Sequence, residues 1–150
     1  MFERYTLQAR RAVFFARYEA GEFGSSHIEP AHLLLGILRE SGELMRLMAG
    51  NEQRIIDLKS SVEKRLQPRT PGAPMSHDLP ISRECMEVLT FAAEEARRAR
   101  SSHIGPEYLI FGLLSENGSE AADLAAAGIT IQTVQRTFGG DFDPGAPNLS

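Results

Sequence analysis

Two stretches decide the reading: SSHIEPAHLLLGIL at 25–38 and SSHIGPEYLIFGLL at 101–114. They lie 76 residues apart, and eight of the fourteen aligned positions are identical. The offset holds outside the stretch. Thr6, Val13, Phe15, Ala16, Glu19 and Ala20 map onto Ser82, Leu89, Phe91, Ala92, Glu95 and Ala96. Small residues meet small, apolar meet apolar, and Glu meets Glu. A chain that agrees with itself at one fixed spacing is two copies of one unit.

Each copy reads as helices. Thr6 suits an N-cap, because its hydroxyl can accept a hydrogen bond from an unpaired first-turn N–H. Ala9, Ala12, Val13, Ala16 and Ala20 then recur at helical spacing, and the small residues predict close approach of a neighbour. Gly21 and Gly24 are expected to end this helix. Pro30 fits the first position of the next, where its missing N–H costs nothing. Leu33, Leu34, Ile37 and Leu38 form its buried stripe. Gly36 sits mid-helix, where Gly is disfavoured by about 1 kcal/mol relative to Ala. Its return as Gly112 predicts a tight crossing. Two further helices are expected at 43–49 and 52–66.

The second copy repeats the plan. Ser82 stands for Thr6, Val88, Leu89, Ala92 and Ala96 form the narrow face, and Pro106 opens the helix carrying Leu109, Ile110, Leu113 and Leu114. A short helix at 121–127 ends at Gly128, and Thr130 caps a last one with Ile131, Val134 and Phe138. The expected fold is all-α: two tandem four-helix repeats with approximate two-fold symmetry in one body. Repeat one covers 2–66, a proline-rich linker 67–80, repeat two 81–138, and a flexible tail 139–150. Pro68, Pro71, Pro74 and Pro80 forbid a continuous helix in the linker, which is expected to be mobile near Gly72. A half of about 70 residues alone would be marginal, because small units bury a lower fraction of their surface, so the copies should share a core.

Composition excludes several function classes. The chain has 150 residues and a net charge of −4 with its charges dispersed, which argues against nucleic acid as the main partner. The single Cys85 cannot form an internal disulfide, consistent with a reducing compartment. No apolar run approaches a membrane span, and the N-terminus lacks the apolar core of a signal peptide. A cytoplasmic protein is the expectation.

Catalytic chemistry finds little purchase. Cys85 aligns with Ala9 on the small face, a packing position. His27 and His103 share one loop position and are expected to bond backbone as turn residues. No His pair has helical metal-ligand spacing and no H-E-x-x-H occurs, so neither metal nor cofactor is expected. The only lysines, Lys59 and Lys64, do not follow a glycine, and the phosphate-binding loop of ATPases is absent. Glu94 and Glu95 are expected on a solvated helix exterior.

Both repeats resemble the Clp N-terminal repeat found at the front of the ClpA and ClpC unfoldases. The carriers are Phe2, Glu3, Arg4, Tyr5 and Thr6; the stretch from Ile28 to Ile37; its copy from Ile104 to Leu113; and Asp78, Leu79, Pro80, Ile81 and Ser82 before the second repeat. The resemblance covers about residues 2–138. It implies a helical bundle without catalytic activity that recruits protein substrates and adaptors to a Clp ATPase and protease complex. It also implies a phosphoarginine site, in which a motif Glu takes the guanidinium and the hydroxyl at the first helix start takes the phosphate. The second repeat keeps both parts, Glu107 and Ser82. The first keeps Thr6, but Ala31 replaces the Glu, with Glu29 two residues earlier as a substitute. A stand-alone accessory or regulatory protein unrelated to proteolysis is the alternative.

Overall fold

The structure, a computed structural model, describes residues 1–66 and 79–139. The expected mobile linker and tail fall largely outside the described residues. Those described form eight helices. Helices α1 (Leu7–Glu22), α2 (Pro30–Glu40), α3 (Gly42–Ala49) and α4 (Glu52–Arg65) make the first repeat. Helices α5 (Arg83–Arg98), α6 (Pro106–Glu116), α7 (Ser119–Ala126) and α8 (Ile131–Phe138) make the second.

The long helices are capped as their sequences direct. The Thr6 hydroxyl accepts the Ala9 N–H at 3.1 Å, and the Ser82 hydroxyl accepts the Cys85 N–H at 3.1 Å. Thr130 caps α8 through the Thr133 N–H. One expected boundary is corrected. Gly21 does not end α1; it is buried inside the helix, which runs on to Glu22 with Phe23 as its C-cap. The turn proper is made by Gly24, at φ 67°, and in the other repeat by Arg100, at φ 57°. The same left-handed corner is therefore built once with the residue it favours and once without.

The two glycines inside α2 and α6 explain the closest packing. A Cβ on Gly36 would lie 2.2 Å from the Ala12 carbonyl oxygen, and one on Gly112 would lie 2.3 Å from that of Val88. These are the same crossing at the 76-residue offset. Absence of a side chain lets α1 lie against α2, and α5 against α6, backbone to backbone.

The halves are joined by exchange. Tyr5 forms an isolated parallel bridge with Ile104, and Ile81 forms one with Ile28. The Thr6 N–H donates to the Ile104 carbonyl at 3.0 Å, and the Ser82 N–H to that of Ile28 at 3.0 Å. The segment leading into each repeat thus lies on the loop of the other. Helix α4 packs on α7, and α3 packs on α8. One buried apolar cluster runs through both repeats, from Tyr5 and Leu34 to Ile110 and Val134. Arg65 at the end of α4 bridges to Glu120, at 2.7 Å, and to Asp123 on α7.

Candidate functional site

Exchange of the leading segments determines which candidate residues meet. Ser82 and Glu107 do not come together within their own repeat. They lie on opposite sides of the Gly112–Val88 crossing, six residues from it along α5 and five along α6. At 1.5 Å rise per residue in an antiparallel hairpin, that is a separation on the order of 15 Å. Thr6 is instead brought by its bond to Ile104 beside the start of α6, where Glu107 stands. Ser82 is brought by its bond to Ile28 beside Glu29. The backbone bonds thus set Thr6 by the helix start that carries Glu107, and Ser82 by the one that carries Glu29.

The two junctions differ. Around Ser82 the site is closed. Ser82 is buried, with only 6% exposure, and its hydroxyl caps α5 just as the Thr6 hydroxyl caps α1. Glu29 is the N-cap of α2 in a capping box: its carboxylate turns to the His32 N–H, while His32 Nδ1 accepts the Glu29 N–H at 2.9 Å. His32 is 1% exposed, and burial pushes its pKa down to about 4, so the ring is neutral at physiological pH. An Nδ1 acceptor places the ring proton on Nε2, which has no hydrogen-bond partner and lies near the Phe23 ring. Ala31, where the motif Glu is missing, is buried.

Around Thr6 the residues are less buried, with Thr6 and Glu107 both partly exposed. Glu107 is half-buried in the first turn of α6, and burial raises its pKa, only partly offset by a hydrogen bond from its own N–H. No cation pairs with it among the described residues. The N-cap of α6 is Gly105, which contributes no side-chain cap. A Cβ at Gly105 would lie 2.2 Å from Glu107 Oε1. Glycine at this position makes room for the carboxylate at the helix end.

Other expectations are settled by the geometry. Cys85 is buried, and desolvation, aided by nearby Glu29, pushes its thiol up to about 12, which removes it as a nucleophile. His27 and His103 lie in identical turns, but their rings bond side chains rather than backbone. Nδ1 meets Ser26 Oγ at 2.8 Å and Ser102 Oγ at 2.9 Å. Glu95 is buried and paired with Arg98 at 3.3 Å, not solvated as expected. No helix among the described residues is long and apolar enough to cross a membrane.

His32 is the residue at this site that sequence reasoning overlooked. Its signal was present as Glu29-Pro-Ala-His32, an acid at the cap and an acceptor three residues on. That inverts the usual hydroxyl-then-acid order of a capping box.

Comparison with known proteins agrees with this architecture. The Clp repeat (R) N-terminal domain model matches residues 4–139. The chain belongs to the Clp N-terminal repeat family. It is 30% identical over 128 residues to the negative regulator of genetic competence ClpC/MecB of Bacillus subtilis, covering 81% of this chain and 15% of that protein. It is 31% identical over 123 residues to the chloroplastic chaperone protein ClpC of Pisum sativum, covering 81% of this chain and 13% of that one. The crystal structure of the N-terminal domain of the chaperone ClpD from Arabidopsis thaliana superposes with a TM-score of 0.72 at 25% identity, covering 93% of this chain and 97% of that one. The chain thus spans about one seventh of the length of the curated relatives it matches.

Proposed function

We propose that this Clp N-type domain binds segments of other proteins, substrates or adaptors, and delivers them to a Clp unfoldase that supplies the energy. The anchoring site is the less buried junction, Thr6 with Glu107. One observation carries the reading: a half-buried carboxylate without a cation partner among the described residues, at a helix start next to a second helix start. Burial of that carboxylate costs stability unless a cation arrives to pair with it. A guanidinium supplies the cation in two parallel hydrogen bonds. The first-turn N–H groups and positive end of α1 suit a phosphate. A phosphorylated arginine presents both groups at once, which makes it the ligand chemistry best matched to this pair. Beside Ser82 the Glu29 carboxylate is engaged in its capping box, so one such ligand binds per domain.

Titration calorimetry with phosphoarginine tests this. Wild type should bind with a stoichiometry near one. Glu107→Ala should abolish binding, Thr6→Ala should weaken it, and Glu29→Ala should leave it in place. A flat wild-type titration, or binding that survives Glu107→Ala, overturns the site. On an affinity column the domain should retain a Clp ATPase, an adaptor or degradation substrates from lysate. Retention of none of these counts against the recruiting role.

A further inference from the structure

The outer face of α1 has a composition unlike the rest of the chain. Residues 1–18 contain four arginines and a single acid, Glu3, in a protein whose net charge is −4. That acid is turned to the Met1 ammonium at 2.9 Å. Arg11 pairs with Glu40 at 3.5 Å, but no carboxylate pairs with Arg4, Arg10 or Arg17 among the described residues. Arg10 and Arg17 flank a groove of about 470 Å³ walled by Phe2, Val13 and Phe14, with Glu3 at its rim, where Arg10 donates to the Glu3 carbonyl at 3.1 Å. Phe14 is 51% exposed, and Leu7 on the same helix is 59% exposed. Arg17 Nε is buried at this groove without a hydrogen-bond partner.

The second repeat supplies an internal control. At the offset of 76, Arg10, Val13, Phe14 and Arg17 become Met86, Leu89, Thr90 and Ala93, which line a corresponding groove on α5. That helix also carries Glu84, Glu87 and Glu94. That groove has Arg4, Arg97 and Glu94 at its edges, but nothing charged or aromatic at the positions of Arg10, Phe14 and Arg17, so the fold does not require those three residues.

We infer that the α1 groove docks an acidic segment of a partner protein that inserts one apolar side chain. The concavity takes a Phe- or Leu-sized anchor between Phe2 and Phe14. Arg10 and Arg17 then meet the carboxylates flanking that anchor, and charge complementarity orients the segment. A flat bilayer does not fill a concave groove, and the acidic remainder of the domain repels nucleic acid. The inference builds on the reading of the domain as a protein-binding module, but uses a surface apart from Glu107.

The probe is a fluorescein-labelled synthetic peptide of Asp and Glu around one Phe and one Leu, followed by fluorescence anisotropy. Three controls accompany it: the same peptide with Ser at the apolar positions, one with Lys at the acidic positions, and phosphatidylserine vesicles. The variant Arg10→Met, Phe14→Thr, Arg17→Ala installs residues the α5 backbone already accommodates. Expected results are binding of the acidic apolar peptide alone, weakening with salt, and a loss of about tenfold or more in the triple variant. Equal binding of the Ser or Lys peptide, unchanged affinity in the triple variant, or binding only to vesicles overturns the proposal. So does self-association in sedimentation that the triple variant abolishes, because the occupant is then a second copy of the chain. Phosphoarginine titration of the triple variant separates the two sites. It should match wild type, and a flat wild-type titration alongside intact peptide binding would remove the Glu107 site alone.

Discussion

Helices α2 and α6 begin from equivalent positions and treat an acidic residue in opposite ways. In α2 the acid is the N-cap, Glu29, which faces the His32 N–H in a capping box closed by the bond from the Glu29 N–H to buried His32. In α6 the cap is Gly105, the acid has moved two residues inward to Glu107, and it remains half-buried with its pKa raised by desolvation. The comparison teaches that placement of one carboxylate by two residues separates an acid built into its helix's capping box from one left half-buried with no cation partner among the described residues. The first arrangement stabilises the fold; the second holds a charge in reserve at some cost to it.

The largest expected effect tests whether the repeats are equivalent where they should be. Gly36→Ala and Gly112→Ala each drive a methyl group into a backbone carbonyl, and each should destabilise by about 3 kcal/mol. The two costs, read from urea midpoints, should agree to within about 1 kcal/mol. A large difference would mean that the crossings are not the same. Next is the pH response that His32 gives the first repeat. His32 falls from an ordinary 6.5 to about 4 on folding, so between those values the unfolded chain binds a proton that the folded chain refuses. Its contribution is intact above pH 6.5 and is lost as the pH drops toward 4. Roughly 2 kcal/mol should vanish between pH 7 and 4.5. His32→Asn keeps an acceptor for the Glu29 N–H but does not titrate, and should remove that slope. A slope unchanged in His32→Asn would place its origin elsewhere.

The smallest effect is the most diagnostic, because its sign differs between the halves. Glu29→Ala removes the capping carboxylate and should cost about 1 kcal/mol at pH 7. Glu107→Gln should instead stabilise the domain, by under about 1 kcal/mol, because a group with a raised folded pKa opposes folding once ionised. That gain should disappear as the pH falls and both states become protonated. Thermal melts of both variants at pH 7 decide it, and two losses would mean that Glu107 is structural.

Much of this was legible in the sequence, and what was hidden had a common cause. The caps at Thr6, Ser82 and Thr130, the close crossings at Gly36 and Gly112, and burial of Cys85 all depend on residues near in sequence or on a helical period. The repeat offset compared positions, but it carried no information on which copy each leading segment would touch. The pairing of Ser82 with Glu107 therefore looked natural within a repeat, whereas the bridges set each leading segment on the loop of the other copy. Arg65 and its partners were invisible for the same reason, since surface charges at 65, 120 and 123 share no period. Gly21 misled because glycine serves close packing as readily as it stops a helix.

The paired bridges carry a consequence for ancestry and for engineering. Tyr5 to Ile104 and Ile81 to Ile28 are related as the contacts of a symmetric homodimer are, each unit lending its leading end to its mate. Severing the chain between 66 and 79 would leave two fragments whose unmet surfaces fit one another, and co-expressed halves should reassemble into the intact body. The covalent connection joins what two identical subunits could do together into a single chain whose copies are free to differ, as the starts of α2 and α6 do.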